Sequence, residues 1–401
     1  MTHSPRRMAA LLAAMTAIAP FSIDTYLPAF PDMAVSLGAT QVEMQQTLAF
    51  YMAAFAFMML WHGALSDALG RRRVLLVAFA IYVAASLFCV FATSVEQLWF
   101  GRVLQGMSGG AGLVLSRTII RDLLDGPEAQ RLIAHTTMIF ALAPAVAPVI
   151  GGWIHHAFGW HGIFVFLTLY GSLLFAAVWW LLPETLPPEQ RQNLHPGELA
   201  RAYFQVLTHP PFLALALTIA LSFTGFFIYV LSAPKFLIEH LGVSAQSFLW
   251  LFGPSTLGLV GGNWLSARLA GQVSSRRIVG LGFAIMATAA LLNIAINLWR
   301  PAELPWAVLP QGLYLFGISV ATPSLTLRVL DLFPARRGLV SSCQSATQSG
   351  MNAITASMLA PLVWGSTLSL ALAMAGFLLL GMVAFAFRTV RWPISGSADK
   401  R

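Results

Sequence analysis

The chain alternates between long apolar runs and short polar stretches. Each apolar run has about the 20 residues that a membrane-spanning helix needs, and charge, glycine or proline ends it. In lipid, backbone polar groups find partners only within a helix or a closed barrel, and these runs are too long and too evenly apolar for barrel strands. The pattern therefore predicts an all-α integral membrane protein with twelve transmembrane helices. The predicted spans are residues 8–30, 47–66, 74–93, 97–118, 133–153, 162–182, 211–232, 245–266, 277–298, 305–327, 338–361 and 366–388.

The longest polar stretch lies between the sixth and seventh predicted spans. It divides the chain into a six-helix bundle at residues 1–182, a cytoplasmic linker at 183–210, and a second six-helix bundle with a tail at 211–401. Paired repeats joined in this way are a known transporter architecture. We therefore expect two bundles related by pseudo-two-fold symmetry.

Composition and charge exclude several classes of protein. Charged residues make up only 9% of the chain, against about 25% in soluble proteins, so a soluble enzyme, a nucleic-acid binder and a disordered protein are excluded. If the N-terminus is cytoplasmic, the outer side receives only Lys235 and Arg300 of the 23 basic residues, and Arg102 lies within a span. Basic loops favour the cytoplasm, so we expect both termini there. The short loops favour a bacterial inner membrane, and we expect the protein to be monomeric.

One carboxylate and one arginine lie well inside predicted spans, away from their ends. Asp24 is the acidic one, about 16 residues past Met8 and thus roughly 24 Å along a helix. Arg102 is the basic one. Ionisable groups at membrane depth indicate function by default. We expect Asp24 to carry a proton and Arg102 to tune its proton affinity; the alternatives are a solvated helix-end aspartate and a structural ion pair.

Aromatic and amide side chains within the spans are the candidates for a substrate cavity. Gln344, Gln348 and Asn352 recur every fourth residue, which places them on one helix face, towards a cavity or hydrogen-bonded to another helix. With so few charges, such a cavity suits apolar or weakly cationic compounds. The candidate lining residues are Tyr26, Gln105, Phe226, Phe227, Tyr229, Tyr314, Gln344, Gln348 and Asn352.

A conformational latch is predicted in the loop between the second and third spans. Gly70 permits a tight turn, and Asp67 has Arg71 and Arg72 as neighbours to pair with or a helix N-terminus to face. Gly63 permits close contact between helices. The alternative is basic charge that serves orientation alone.

The fifth span combines proline with glycine. Pro144 and Pro148 are expected to kink the helix, and Gly151 and Gly152 to let another helix approach closely. No phosphate-binding loop G-x-x-x-x-G-K-[ST] occurs in the sequence, which argues against ATP-driven transport. His155, His156 and His161 are interpreted as interfacial residues, and no metal site is expected.

Several of these segments resemble one family. The loop GALSDALGRRR at 63–73 is similar to the signature loop of the major facilitator superfamily, with Ala68 where the family has arginine. Arg102, Gln105 and Gly106 resemble its R-x-x-Q-G motif, in which the arginine is linked to proton transfer. The second half matches mostly by its pattern of spans.

A narrower resemblance is to the bicyclomycin and chloramphenicol resistance (Bcr/CflA) branch of drug:proton antiporters. It rests on DTYLPA at 24–29, on APVIGG at 147–152, and on Arg121 and Asp122 after the fourth span, with His161 where arginine is usual. The resemblance implies a proton-coupled multidrug exporter that works by alternating access, without a cofactor and driven by the proton gradient. Transport of a specific metabolite, such as a nucleoside, amino acid or sugar, remains the alternative, and no catalytic constellation indicates an enzyme.

Overall fold

The computed structural model describes residues 5–124, 126–191, 195–244 and 247–391, and these contain helices and no strand. Thirteen α-helices follow one another along the described chain, with short 3₁₀ or π turns at Leu27–Ala29, Pro188–Gln190, Pro234–His240, Pro334–Arg336, Thr355–Leu359 and Pro361–Val363. The helices are α1 (Pro5–Asp24), α2 (Phe30–Leu37), α3 (Gln41–Leu69), α4 (Arg71–Val90), α5 (Val95–Leu123), α6 (Gly126–Leu181), α7 (Pro196–Leu207), α8 (Pro210–Leu231), α9 (Leu249–Leu269), α10 (Ser275–Trp299), α11 (Leu309–Asp331), α12 (Arg337–Ile354) and α13 (Thr367–Arg391).

Local sequence explains where several helices begin and end. Thr40 and Glu43 form a reciprocal capping box at the start of α3, with the Thr40 N–H donating to Glu43 at 2.7 Å, which satisfies amides that lack intrahelical partners. A continued helix would bring the ring of Pro28 against the carbonyl of Asp24, four residues earlier. The first helix ends at Asp24 and a 3₁₀ turn follows, whereas the apolar pattern predicts a span that continues to residue 30.

Length and apolarity qualify eight stretches of the described chain as membrane spans. One of them, Leu142–Leu181, has 40 residues, which is roughly 60 Å of helix and enough for two crossings. The predicted fifth and sixth spans both lie on α6, whose backbone departs from helical angles at Gly159 (φ 70°). Helices α5, α9 and α12 carry the remaining predicted spans, and glycine and polar residues lower their hydropathy.

Two compact units make up the structure, divided between Pro196 and Gly197. Within the first unit, α5 packs against α1, α3 and α4, and α6 packs against α1 and α4. Within the second unit, α11 packs against α8, α9 and α10 in the same order, and α13 packs against α8 and α10. Corresponding helices therefore pack on one another in the same way within each unit.

Helices α5 and α11 hold corresponding places in the two units. A Cβ added to Gly106 would lie 2.2 Å from the Tyr51 carbonyl oxygen on α3, and one added to Gly312 would lie 2.7 Å from the Pro254 carbonyl oxygen on α9. Only glycine permits helices to approach this closely. Both glycines follow a glutamine, at Gln105 and Gln311, so the repeat is also visible in the sequence.

Candidate functional site

A buried arginine lies at the centre of the first unit. Arg102 on α5 is 0% exposed, and its guanidinium carbon lies 4.4 Å from the ring centroid of Tyr26 and 4.3 Å from that of Tyr51. Its Nη1 donates a hydrogen bond to Gln105 Oε1 at 2.7 Å. Within the described residues it has no carboxylate partner. Two aromatic faces and one amide oxygen thus partly compensate a cation that water cannot reach, because its Nε and Nη2 have no hydrogen-bond partner among the described residues.

Hydrogen bonds extend from this arginine through three helices. Gln105 Nε2 donates to Ser86 Oγ on α4 at 2.7 Å, and Ser86 Oγ donates to the Tyr82 carbonyl oxygen at 2.8 Å. The Tyr82 hydroxyl shares a hydrogen bond of 2.5 Å with Ser22 Oγ on α1. All of these side chains are buried. The network therefore fixes the amide that holds Arg102 and connects it to the helix that ends in Asp24.

Asp24 lies apart from the arginine. It is the last residue of α1, 4% exposed, and its Oδ1 has no hydrogen-bond partner among the described residues. No ion pair joins it to Arg102 in the described chain, because the guanidinium contacts the two tyrosines and Gln105 instead. Neither alternative holds among the described residues of this conformation: Asp24 is buried rather than solvated, and no ion pair with a described carboxylate holds Arg102.

The glycine of the fifth predicted span contacts the chain beside Asp24. A Cβ added to Gly151 would lie 1.8 Å from the Thr25 carbonyl oxygen, so α6 can touch the end of α1 only because this residue is glycine. Gly152 is also buried. Helix α6 continues through Pro144 and Pro148, and its non-helical angles occur at Gly159.

Arg71 organises the predicted latch. Its guanidinium pairs with Asp67 one turn earlier and with Asp122 at the end of α5, where the Nε–Oδ2 distance is 3.2 Å. Its backbone N–H, at the start of α4, donates to Glu184 Oε1 at 2.8 Å. Gly70 takes a φ of 97°, and an added Cβ would lie 2.4 Å from Glu184 Oε2. The latch thus joins α3, α4, α5 and the stretch after α6.

Other predicted latch residues take different places. Arg72 donates to the Trp179 carbonyl oxygen at 2.6 Å and lies over the Trp179 ring. Arg121 is exposed and forms no ion pair with a described residue. A Cβ added to Gly63 would meet no described atom within 4 Å. The expectation that Gly63 permits close helix contact is therefore wrong for this conformation.

The second unit has a buried polar cluster at the corresponding helices. The Tyr229 hydroxyl on α8 accepts a hydrogen bond of 2.7 Å from Asn293 Nδ2 on α10, and Gln311 on α11 lies beside it. Tyr314 is also 0% exposed, against Gly225. Val308 stands three residues before Gln311, where the first unit has Arg102. The second cluster is therefore polar without a buried cation.

The remaining cavity candidates divide by exposure. Tyr26 is fully buried, and its hydroxyl lies 3.1 Å from Thr47 Oγ1. Gln344 Nε2 donates to Thr326 Oγ1 on α11 at 3.2 Å, which is the interhelical alternative. Phe226 is buried and Phe227 half-buried, both beside Phe223. Gln348 is half-buried and Asn352 is 9% exposed with its Oδ1 unpartnered by described residues.

Sequence reasoning missed Tyr51, Tyr82, Ser86, Asn293 and Gln311. Four of them have no motif of their own, because their partners lie on other helices and only packing brings them together. Gln311 had a signal in the repeated Gln-Gly pair.

No metal site is expected from the sequence. His155 Nε2 lies 2.8 Å from Asp32 Oδ2, and the described residues hold no group of three potential metal ligands.

The sequence is similar to a family model and to named transporters. The Major Facilitator Superfamily model matches residues 12–356. An uncharacterized MFS-type transporter, YdgK of Bacillus subtilis, is 32% identical over 90% of this chain and 91% of its own length. A chloramphenicol resistance protein of Pseudomonas aeruginosa is 30% identical over 80% of this chain and 76% of its own. A bicyclomycin resistance protein homolog of Haemophilus influenzae is 26% identical over 95% of each.

A solved structure has the same fold. The crystal structure of the human organic anion transporter MFSD10 (TETRAN) superposes with a TM-score of 0.66 over 95% of this chain and 100% of its own, at 20% sequence identity. At that identity the likeness concerns the fold alone. Its agreement with the family match confirms the predicted fold class.

Proposed function

The chain belongs to the major facilitator superfamily, and we propose that it exports small apolar or weakly charged compounds, antibiotics among them, in exchange for protons. It is a membrane transporter rather than an enzyme. Relatives named for bicyclomycin, chloramphenicol and multidrug resistance support the drug as cargo. We place it in a bacterial inner membrane with both termini in the cytoplasm, as a monomer without a cofactor, driven by the proton gradient.

The observation that carries proton coupling is the burial of Asp24 without a partner for its Oδ1. An ionised carboxylate buried in this way is costly, and binding a proton removes that cost. Asp24 lies at a helix end, beside the contact between Thr25 and Gly151. A change in the protonation of Asp24 therefore alters the contact between α1 and α6. In this way proton binding changes the conformation of the protein.

Coupling requires that proton and drug favour different states of the protein. Arg102 contributes a fixed positive charge in the same unit, held by Tyr26, Tyr51 and Gln105. Asp24 offers one negative charge, which either a proton or a cationic drug neutralises, so the two compete. The latch of Arg71 with Asp67 and Asp122 then stabilises one conformation over the other.

Drug contacts are proposed for the less buried aromatic and amide groups. Phe227 and Gln348 are half-buried and are the first candidates. Tyr26, Gln105, Tyr229 and Tyr314 are 0% exposed, so in this conformation they support their neighbours rather than meet a ligand.

Flux in proteoliposomes tests this function. A panel of antibiotics, dyes and nucleosides is loaded, a pH gradient is imposed, and wild type is compared with Asp24→Asn. The matched control is Asp32→Asn, an exposed aspartate on α2. We expect several unrelated drugs to move in wild type and the control, and none to move against its gradient in Asp24→Asn.

Two outcomes contradict the proposal. Wild-type pH-driven efflux in Asp24→Asn removes Asp24 as the proton carrier. Movement of a single nucleoside, amino acid or sugar, with no drug transported, establishes the metabolite alternative on the same fold.

A further inference from the structure

A groove on the first unit is not used by the proposed transport mechanism. Helices α3 and α4 both pack extensively on α5 but contact each other little, which leaves a cavity of about 310 Å³ between them. The described residues that line the cavity all lie on these three helices, from Met58 to Ser108. Its walls are mostly apolar, and Val77, Ile81 and Met107 at its sides are exposed.

The mouth of the groove carries an uncompensated cation. Of the three consecutive arginines at the start of α4, Arg71 pairs with two aspartates and Arg72 lies on Trp179. Arg73 lines the groove, is exposed, and has neither an ion pair nor a hydrogen bond with any described residue. A free guanidinium is suited to bidentate contact with a phosphate.

A buried polar group lies deeper in the same groove. His62 on α3 is 2% exposed, lines the cavity, and its Nδ1 has no partner among the described residues. Imidazole carries hydrogen-bonding capacity on both nitrogens. Backbone groups of Met58 and Met107 lie beside this ring, and the unpartnered Nδ1 keeps capacity for one further polar contact. His62 lies seven residues before Leu69, which is roughly 10 Å along the helix from the mouth.

We propose that this groove binds an anionic phospholipid from the leaflet on the arginine side. The phosphate pairs with Arg73, the glycerol region extends towards His62, and one acyl chain lies against Val77, Ile81 and Met107. Basic pockets between transmembrane helices are suited to anionic headgroups. A cation at the mouth, a polar group below it and apolar walls beyond match the order of groups in such a lipid.

Lipid binding can be measured without a transport assay, so it fails or succeeds independently of proton coupling. The purified full chain is placed in phosphatidylcholine nanodiscs with spin-labelled phosphatidylglycerol, and the immobilised fraction is read by electron paramagnetic resonance. Arg73→Ala is expected to weaken retention about fivefold, and Ala78→Phe, which fills the groove from a buried lining position, to abolish it. Added salt weakens wild-type binding.

Arg276→Ala is the matched control, because Arg276 is an exposed arginine at the start of α10, the counterpart of α4. We expect it to retain the lipid as wild type does. Equal retention in wild type and Arg73→Ala overturns the proposal, as does an equal loss in Arg276→Ala, or spin-labelled phosphatidylcholine that binds as well as phosphatidylglycerol. Arg73 is exposed, so its variant keeps the test valid if Ala78→Phe does not fold.

Discussion

At the scale of the residue, the molecule's least expected feature is a fully buried arginine whose described neighbours include no carboxylate. Burying a charge is costly unless other groups replace its hydration. Tyr26, Tyr51 and Gln105 do so in part, while the Nε and Nη2 atoms have no partner among the described residues. The sequence singled out Arg102 and Gln105 by their motif, but it gave no sign of Tyr51, which comes from the opposing helix.

Replacing Tyr51 tests this compensation. Tyr51→Leu removes one aromatic face and is expected to lower the free energy of unfolding by about 2 kcal/mol, the value of a desolvated cation–π contact. Tyr51→Phe keeps the ring and removes a hydroxyl that lies beside Ser22, so its change is expected to stay within about 1 kcal/mol. Denaturant unfolding in detergent measures both. Equal losses in the two variants would show that the hydroxyl, rather than the ring, matters.

At the scale of the element, hydropathy predicts the helices well and their junctions less well. The apolar pattern runs past Asp24, yet α1 ends there and a short 3₁₀ turn that contains Pro28 follows. The pattern also separates the fifth and sixth spans between residues 153 and 162, and the backbone of α6 departs from helical angles within that interval, at Gly159. Close contacts depend on which helices meet, and the sequence alone does not supply this. Gly151 therefore has a tight contact and Gly63 has none among described residues.

Two alanine substitutions separate these glycines. Gly151→Ala places a methyl group against the Thr25 carbonyl, and overpacking of this kind is expected to cost about 1–3 kcal/mol and to reduce drug transport. Gly63→Ala meets open space in a helix interior and is expected to stabilise by up to about 1 kcal/mol, since alanine is the better helix former. Thermal unfolding and drug flux measure both. A neutral Gly151→Ala would contradict the tight junction of α1 and α6.

The stretch after α6 gives a second prediction at this scale. Glu184 accepts hydrogen bonds from the N–H groups of Arg71 and Leu186, at the positive end of α4. Glu184→Gln is expected to weaken this attachment by about 1 kcal/mol, seen as about fivefold faster amide hydrogen exchange at residues 183–191. Glu189→Gln, in the same stretch and exposed, is the control. An unchanged exchange rate in Glu184→Gln would show that Glu184 does not hold residues 183–191 to the start of α4.

At the scale of the whole molecule, the fold follows from the sequence more fully than the site does. Long apolar runs, the arginine-rich loops and the motifs at 24–29 and 63–73 indicated a helical transporter of the resistance branch, and the family match and named relatives confirm it. The internal copy of Gln-Gly at 105 and 311 reflects the shared plan of the two units. The two units differ at Arg102, because the corresponding position in the second unit is Val308. We place proton coupling in the first unit, at Arg102 and Asp24.

Drug-induced proton release is the most direct test of that placement. If proton and drug favour different states, linkage requires that each lower the affinity for the other. Purified wild-type protein in a weakly buffered detergent solution with a pH indicator should therefore release protons when a transported drug is added. Asp32→Asn should release them equally, and Asp24→Asn should bind the drug and release none. Proton release from Asp24→Asn at the wild-type level would contradict Asp24 as the coupling residue.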